Sequence, residues 1–230
     1  MTTPGQQRKD VTSWPTDREA RAALEVYLDS SPRPDDRRAV WPLLAGDRLN
    51  FVGADLSSLD LSEAYLFNAV LTDVRMANCV LRKATLSGAD LQGADLTGAD
   101  LSKAEVDECQ ARGAIFRAAN LFAVNLRRSD LSHADLRDAV LNSARLQGCN
   151  LGSADLRGAS LRFCRFGNDS SPTLLYGARM FGCAVDDARG VVSGPVDVGE
   201  SSPELVDGPD LVDWLRRNGA TDIGYRAGSI

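Results

Sequence analysis

Long apolar runs are missing from this sequence. No segment approaches the length of a membrane span, and the start, MTTPGQQRKD, lacks the apolar stretch of a secretion signal. We therefore expect a cytoplasmic protein with no membrane contact.

Residue patterns that carry catalysis or bind metal are also scarce. The one histidine, His133, is predicted to be a solvated surface imidazole and not a general base. No Cys/His metal spacing, Walker loop, GxGxxG after a strand, or GxSxG occurs. These absences favour a protein that is not an enzyme and uses no cofactor or metal.

What the sequence does contain is a five-residue repeat. An apolar residue occupies every fifth position from Phe51 to Phe166, and 18 of these 24 positions are Leu. Two residues earlier lies a small or aliphatic residue, which is Ala in 15 cases, as in Ala94-Asp95-Leu96. On a helix this period would smear the apolar residues around the axis. Residues spaced by two instead share one face of a β-like segment, so the period predicts a solenoid with both columns inside.

The run resembles the pentapeptide-repeat family, whose unit is commonly written A(D/N)LXX. The resemblance covers a little over half of the chain, and it implies an all-β solenoid, a right-handed quadrilateral β-helix with four repeats per coil. Six coils would then stack at about 4.8 Å each. We expect residues 1–48 to form a helical N-terminal cap, residues 49–188 the β-helix, and residues 189–230 an acidic linker with a short C-terminal helix.

The repeat breaks at residues 167–172. It resumes, displaced by four residues, at Thr173-Leu174-Leu175 and again before Met180 and Val185. Gly, Asn, Asp, Ser and Pro are typical of loops, so this segment is either a tolerated insertion or a loop that contacts a partner.

The five cysteines all fall in the small inward column once the displacement is allowed. On the four-sided arrangement, Cys109 and Cys149 lie two coils apart, about 9.6 Å, which is too far for a disulfide. We expect five structural free thiols.

The two flanking segments contain helix signals. Thr16 and Glu19 match a capping box, followed by an apolar stripe through Leu28, and a second short helix is plausible around residues 36–44. The N-terminal segment is expected to cap the first coil and to cover Tyr65 and Phe67. Beyond a linker over residues 191–208, a helix is predicted from Pro209 to Asn218.

Charge bears on the best-known activity that the resemblance implies, which is binding to DNA gyrase by mimicking DNA. The net charge is −6, but residues 49–168 contain 13 basic and 14 acidic side chains, whereas residues 169–230 contain 5 and 10. No face forms a continuous phosphate-like track. The outward charges look self-compensating: Asp107 should pair with Arg127, and Glu108 with Arg128. Arg117, Arg137 and Arg157 should form a ladder beside Asp135 and Asp155.

These observations favour a non-enzymatic protein-interaction module with an unidentified protein partner and no direct nucleic-acid or membrane binding. The alternative is a DNA-mimicking topoisomerase-binding protection or resistance protein. Three outward apolar residues fall on one face in successive coils, and the apolar side of the C-terminal helix could cover them, either within one chain or in a homodimer formed through the C-terminal half. The candidate interaction surface comprises Phe122, Val140, Phe163, Leu211, Trp214 and Leu215.

Overall fold

A coil of 20 residues is the repeating unit of the chain. The computed structural model describes residues 7–30 and 43–227. Parallel single-residue bridges join Ala45 to Tyr65, and the same step of 20 residues continues until Arg145 pairs with Arg165. Four five-residue repeats therefore complete each coil, which confirms the predicted β-solenoid.

Backbone hydrogen bonds hold successive coils together. In one representative repeat, the N–H groups of Leu96 and Gly98 donate to carbonyls of the following coil at 2.7 and 2.9 Å, and that of Asp100 donates to the preceding coil at 2.9 Å. The Thr97 N–H instead donates to the Asp95 Oδ1 at 3.0 Å. The Asp or Asn before the large residue accepts this bond in twelve repeats. It is therefore a turn residue.

The second residue after each large inward one turns the chain with a positive φ. Glycine supplies it at Gly98 (67°), and residues such as Asn78 (57°) and Phe163 (59°) adopt it without being glycine. Val, Ile and Thr do not occupy this position in the described repeats, because branching at Cβ disfavours the left-handed region.

The two inward columns form the core. Every large residue from Phe51 to Phe166 is at most 2% exposed. All five cysteines are free and buried, as predicted, and the Cys164 thiol donates to the Leu141 carbonyl at 2.9 Å. Burial raises the pKa of the Cys109, Cys164 and Cys183 thiols to about 12, so these thiols stay protonated and behave as small core residues.

A buried threonine follows the insertion and hydrogen-bonds to residues on both sides of it. After it, Asn150 pairs with Leu174 and Asp155 with Arg179, a step of 24 residues that confirms the displacement by four. The Thr173 hydroxyl takes a small-column position, where it donates to the Leu146 carbonyl at 2.6 Å and accepts from the Gly167 N–H at 3.0 Å.

The N-terminal elements are a 3₁₀ helix, Arg8–Asp10, and α1, Arg18–Ser30. Asp17 caps α1, because its Oδ1 accepts from the Ala20 N–H at 2.8 Å. The predicted cap at Thr16 is therefore wrong by one residue. Residues 36–42 of the predicted second helix lie outside the described residues, and 43–44 are not helical.

This segment docks against the first coils. The Tyr27 hydroxyl donates to the Asp60 carbonyl, the Asp55 N–H donates to the Ser13 carbonyl at 2.7 Å, and the Ser13 hydroxyl donates to the Gly53 carbonyl at 2.6 Å.

The C-terminal elements continue the end of the solenoid. They are β1 (Thr173–Leu174), β2 (Ala178–Arg179), β3 (Gly190–Ser193), β4 (Val196–Asp197), β5 (Leu205–Val206), α2 (Gly208–Arg217) and β6 (Ile223–Tyr225). Two small sheets have the strand orders β1-β3-β6 and β2-β4-β5. The segment predicted as a linker therefore forms strands, because its backbone pairs with the open edge of the last coil. Helix α2 lies within one residue of its predicted bounds.

Candidate interaction surface

Two adjacent faces of the C-terminal coils carry unusual side chains. We call them the patch face and the arginine face. The inward residues of the patch face include Leu121, Leu141 and Leu161, and those of the arginine face include Phe116, Leu136 and Leu156. The arginine face comes first in each coil, so its turn residues lie at the corner shared with the patch face.

The patch face exposes apolar side chains in three successive coils. Phe122 is 42% exposed, Val140 37% and Phe163 56%. Val140 bridges Asn120 in one neighbouring coil and Ser160 in the other. The structure therefore places Phe122 and Val140 outward on the patch face and Phe163 at the positive-φ turn that ends it.

The backbone around the two phenylalanines is fixed by the solenoid. The Phe122 carbonyl accepts from the Lys103 N–H at 2.8 Å, and the Phe163 N–H donates to the Asp186 carbonyl at 2.8 Å. Rings on such a backbone lose little conformational entropy on binding, which favours association.

Helix α2 does not cover the patch. Leu211 and Leu215 are fully buried and Trp214 is half-buried, while α2 contacts β5 and β6 at the end of the solenoid. These three residues therefore belong to the C-terminal cap and not to a shared surface with Phe122. The predicted docking on the patch is wrong because the apolar side of α2 is already buried against the strands at the end of the solenoid.

Other exposed aromatic side chains lie elsewhere on the solenoid. Tyr65 and Phe67 are 51% and 40% exposed, so the expected cover by the N-terminal segment is wrong. Tyr176 and Phe181 are exposed after the insertion, and sequence analysis missed them. The register displaced by four would have found both, since each follows an inward residue.

The predicted arginine ladder is present and internally paired. Arg117 contacts Asp135 at 3.0 Å, Arg137 contacts Asp135 at 2.7 Å, and Arg157 contacts Asp155 at 2.6 Å. Burial raises the pKa of Asp135. Burial alone would also raise the pKa of Asp155, but hydrogen bonds from Arg157 outweigh it and lower that pKa. The ladder is thus an array of alternating charges and not a uniform basic track.

The acidic cluster on a third face is partly paired as predicted. Glu108 contacts Arg128 at 2.8 Å. Asp107 instead accepts from the Ser87 hydroxyl at 2.6 Å, one coil before it, whereas Arg127 lies one coil after it. Among the described residues, no ion pair joins Asp107 to Arg127. In the described residues, no group of three or more His, Cys, Asp or Glu side chains could hold a metal ion. His133 lies exposed at a turn.

None of the helices in residues 7–30 and 43–227 is both long and apolar enough to cross a membrane.

Comparison with known proteins identifies the family. The chain is 26% identical to HetL, a pentapeptide repeat protein involved in heterocyst differentiation regulation from the cyanobacterium Nostoc sp. strain PCC 7120, over 64% of this chain and 78% of that one, with a TM-score of 0.47. It is 17% identical to QnrB1, a plasmid-mediated fluoroquinolone resistance protein, over 79% and 81%, with a TM-score of 0.46. No curated protein sequence matches the chain. The sequence model for pentapeptide repeats matches residues 50–88, 79–117, 119–158 and 134–168, with 8 copies. The chain therefore belongs to the pentapeptide-repeat family.

Proposed function

We propose that this chain is a non-enzymatic protein-interaction module. Its β-helix, right-handed and quadrilateral, would present the patch face to a protein partner in the cytoplasm, where five free thiols are expected to persist. The observation that carries the proposal is the exposure of Phe122, Val140 and Phe163 on one rigid face. In this proposal the repeats at 49–188 bind the partner, and residues 1–48 and 189–230 cap the two ends of the solenoid.

The composition of the patch suits a binding surface. Two aromatic side chains supply the anchors that dominate many protein interfaces, and Val140 lies between them along the solenoid axis. Polar groups lie among the anchors. Arg162 contacts Asp186 at 2.9 Å, and Asn142, in the coil between the two phenylalanines, accepts from the Ser160 hydroxyl at 2.6 Å. Interfaces between proteins commonly combine apolar contacts with hydrogen bonds in this way.

The test compares the protein with a variant that lacks both anchors. A Phe122→Ser, Phe163→Ser double variant should lose the partner that the unchanged protein retains from cell extract. Gln92→Ser alters the matching outward position on another face and should retain it. Both variants should unfold at the temperature of the unchanged protein, because the substituted side chains are outside the core. Equal retention by all three proteins would refute the proposal.

Topoisomerase binding by DNA mimicry is the competing function. Pairing of Asp135 and Asp155 with arginines leaves the arginine face without the continuous negative charge that mimicry needs. A gyrase supercoiling assay, with and without a fluoroquinolone, separates the two proposals. We expect no change on adding the protein, whereas inhibition or protection would favour the competing function.

A second copy of the chain is the other partner to test. Since Leu211 and Leu215 are buried within one chain, the apolar side of α2 is not available for a dimer. Light scattering should give a single-chain mass near 24.7 kDa, and a doubled mass that the Phe122→Ser, Phe163→Ser variant loses would make the partner a second copy.

A further inference from the structure

A groove lies at the corner between the arginine face and the patch face. It has a volume of about 360 Å³ and is lined by Arg137, Asp138, Arg157, Gly158, Phe181, Gly182 and Glu200. The arginines and Phe181 occupy one outward column, the glycines occupy the turn column beside it, and Glu200 comes from the β4–β5 hairpin. The proposed function makes no use of this groove.

The two arginines that line the groove have N–H groups that their aspartates do not use. Arg137 and Arg157 each bind their aspartate side-on: Nε donates at 2.8 Å in both, and Nη2 donates at 2.7 and 2.6 Å. A guanidinium has five N–H groups. Among the described residues, nothing accepts from the other three of either side chain. About a third of each arginine side chain is exposed, and the aspartates hold both guanidiniums in place, so a ligand would meet donors that are already ordered.

The charges around the groove balance. Asp135 contacts Arg117 and Arg137, and Asp155 contacts Arg157 and Arg179, while Asp138 and Glu200 are two further carboxylates in the lining. Four arginines therefore offset four carboxylates, and a ligand that brings one negative charge to the unused N–H donors disturbs this balance less than a dianion such as a phosphate group. One carboxylate could bridge the two guanidiniums, which lie one coil apart, about 4.8 Å. Asp138 and Glu200 could then accept from backbone N–H groups of a peptide.

One glycine gives a peptide backbone room to approach. Gly158 and Gly182 both have φ of 71°. The Asp138 carboxylate takes the space beside Gly158, since its Oδ1 lies 2.5 Å from where a Cβ would be, whereas the space beside Gly182 is open, with the nearest atom at 3.7 Å. The missing side chain at Gly182 connects the groove to the patch face, where Ala184 follows.

We propose that the groove binds an extended peptide segment of the partner that carries an acidic side chain next to an apolar one. The carboxylate lies across Arg137 and Arg157, and the apolar side chain packs on Phe181. This inference rests on the proposed function and extends its interface around the corner.

The probe is a defined peptide, acetyl-Gly-Phe-Glu-Phe-Gly-amide, titrated into the full chain labelled with ¹⁵N at low salt. Its blocked ends leave the glutamate as the only charge. The amide resonances of Gly158 and Gly182 should shift on binding, and a peptide with glutamine in place of glutamate should bind about fivefold more weakly. Arg157→Gln should abolish that preference.

Gly182→Asn provides a matched steric test. Asparagine adopts the same turn conformation at Asn68 and Asn78, so the variant should fold, yet its side chain fills the groove. Gly113→Asn makes the same change at a turn on another face, where a Cβ has open space. The peptide should bind Gly113→Asn normally and Gly182→Asn at least about tenfold more weakly.

Equal affinity for the two peptides, or unaltered binding by Gly182→Asn, would overturn the groove proposal. Partner retention separates this failure from failure of the proposed function. If Gly182→Asn retains the partner while Phe122→Ser, Phe163→Ser loses it, the patch binds and the groove does not.

Discussion

Replacing Leu96 with alanine tests whether the inward register holds the fold together. Leu96 is fully buried, and so are Met76 and Phe116, which occupy the same column one coil away on either side. The change removes three carbon atoms, worth about 2.4 kcal/mol at about 0.8 kcal/mol per buried CH₂. The cavity left by the side chain adds to this loss. The backbone cannot move in to fill it, because the Leu96 N–H donates to the Ile115 carbonyl at 2.7 Å. We expect a loss of about 3–4 kcal/mol in the free energy of unfolding.

The assay is urea unfolding followed by circular dichroism, with Thr97→Ala as the control. Thr97 is the next residue and faces outward. Its hydrogen bonds are made by its backbone, with the N–H donating to Asp95 and the carbonyl accepting from the Asn78 N–H, so changing its side chain should cost less than about 0.5 kcal/mol. Unchanged dependence of the unfolding free energy on urea would show that both variants unfold from the same native state. Comparable losses for the two variants would refute the inward assignment of Leu96.

Three further predictions concern turns, acid and thiols. Asp95→Ala leaves the Thr97 N–H without its acceptor and should cost about 1 kcal/mol by urea unfolding, whereas Asp95→Asn, which keeps an acceptor, should cost less than half of that. Burial alone would raise the pKa of Asp55, but hydrogen bonds from Ser57, Thr12 and Arg75 lower it from 3.8 to about 2. Its contribution to stability is therefore complete above about pH 4 and is lost as the pH falls toward 2. Asp55→Asn should show a shallower dependence of thermal stability on pH in that window, and a curve parallel to that of the unchanged protein would contradict the assignment. All five cysteines should react slowly with a thiol reagent in the native state and count as free thiols after denaturation, whereas a native disulfide detected by mass spectrometry would be inconsistent with the buried column.

The solenoid was predictable because its pattern is periodic. An apolar residue at every fifth position leaves no helix with a consistent face. The spacing alone leaves the number of sides open, and the step of 20 residues follows from the four repeats per coil that the family resemblance implies. The displacement after Phe166 was also readable, since Leu175, Met180 and Val185 restore the same spacing. Repetition makes each position informative about the others.

Features outside the repeat were harder to predict. Thr16 and Asp17 can both cap a helix, and only the position of the first helical turn selects Asp17. Ser132 directly follows an inward leucine, the same position in the repeat as Thr97, yet it is only 7% exposed. The repeat pattern alone does not indicate such burial.

Contacts between residues distant in the sequence determine the structure of the C-terminal segment and the exposure of the patch. Residues 191–208 are rich in Gly, Ser and Pro, but the open edge of the last coil supplies strand partners. Leu211 and Leu215 are buried at the same end of the solenoid, so helix α2 does not cover the patch. Glu200 reaches the groove only because the β4–β5 hairpin folds back, a placement that no repeat pattern encodes.

Site-specific photocrosslinking tests the central claim, that the patch face meets a protein partner. A photoreactive phenylalanine analogue is placed at Phe163 and, in a separate protein, at Ser153, which holds the same positive-φ turn position on another face. On irradiation in cells, we expect a discrete adduct with another protein from position 163 and none from 153, and the adduct should disappear when Phe122 and Val140 are changed to serine. No adduct at 163, or the same adduct from both positions, would contradict the claim.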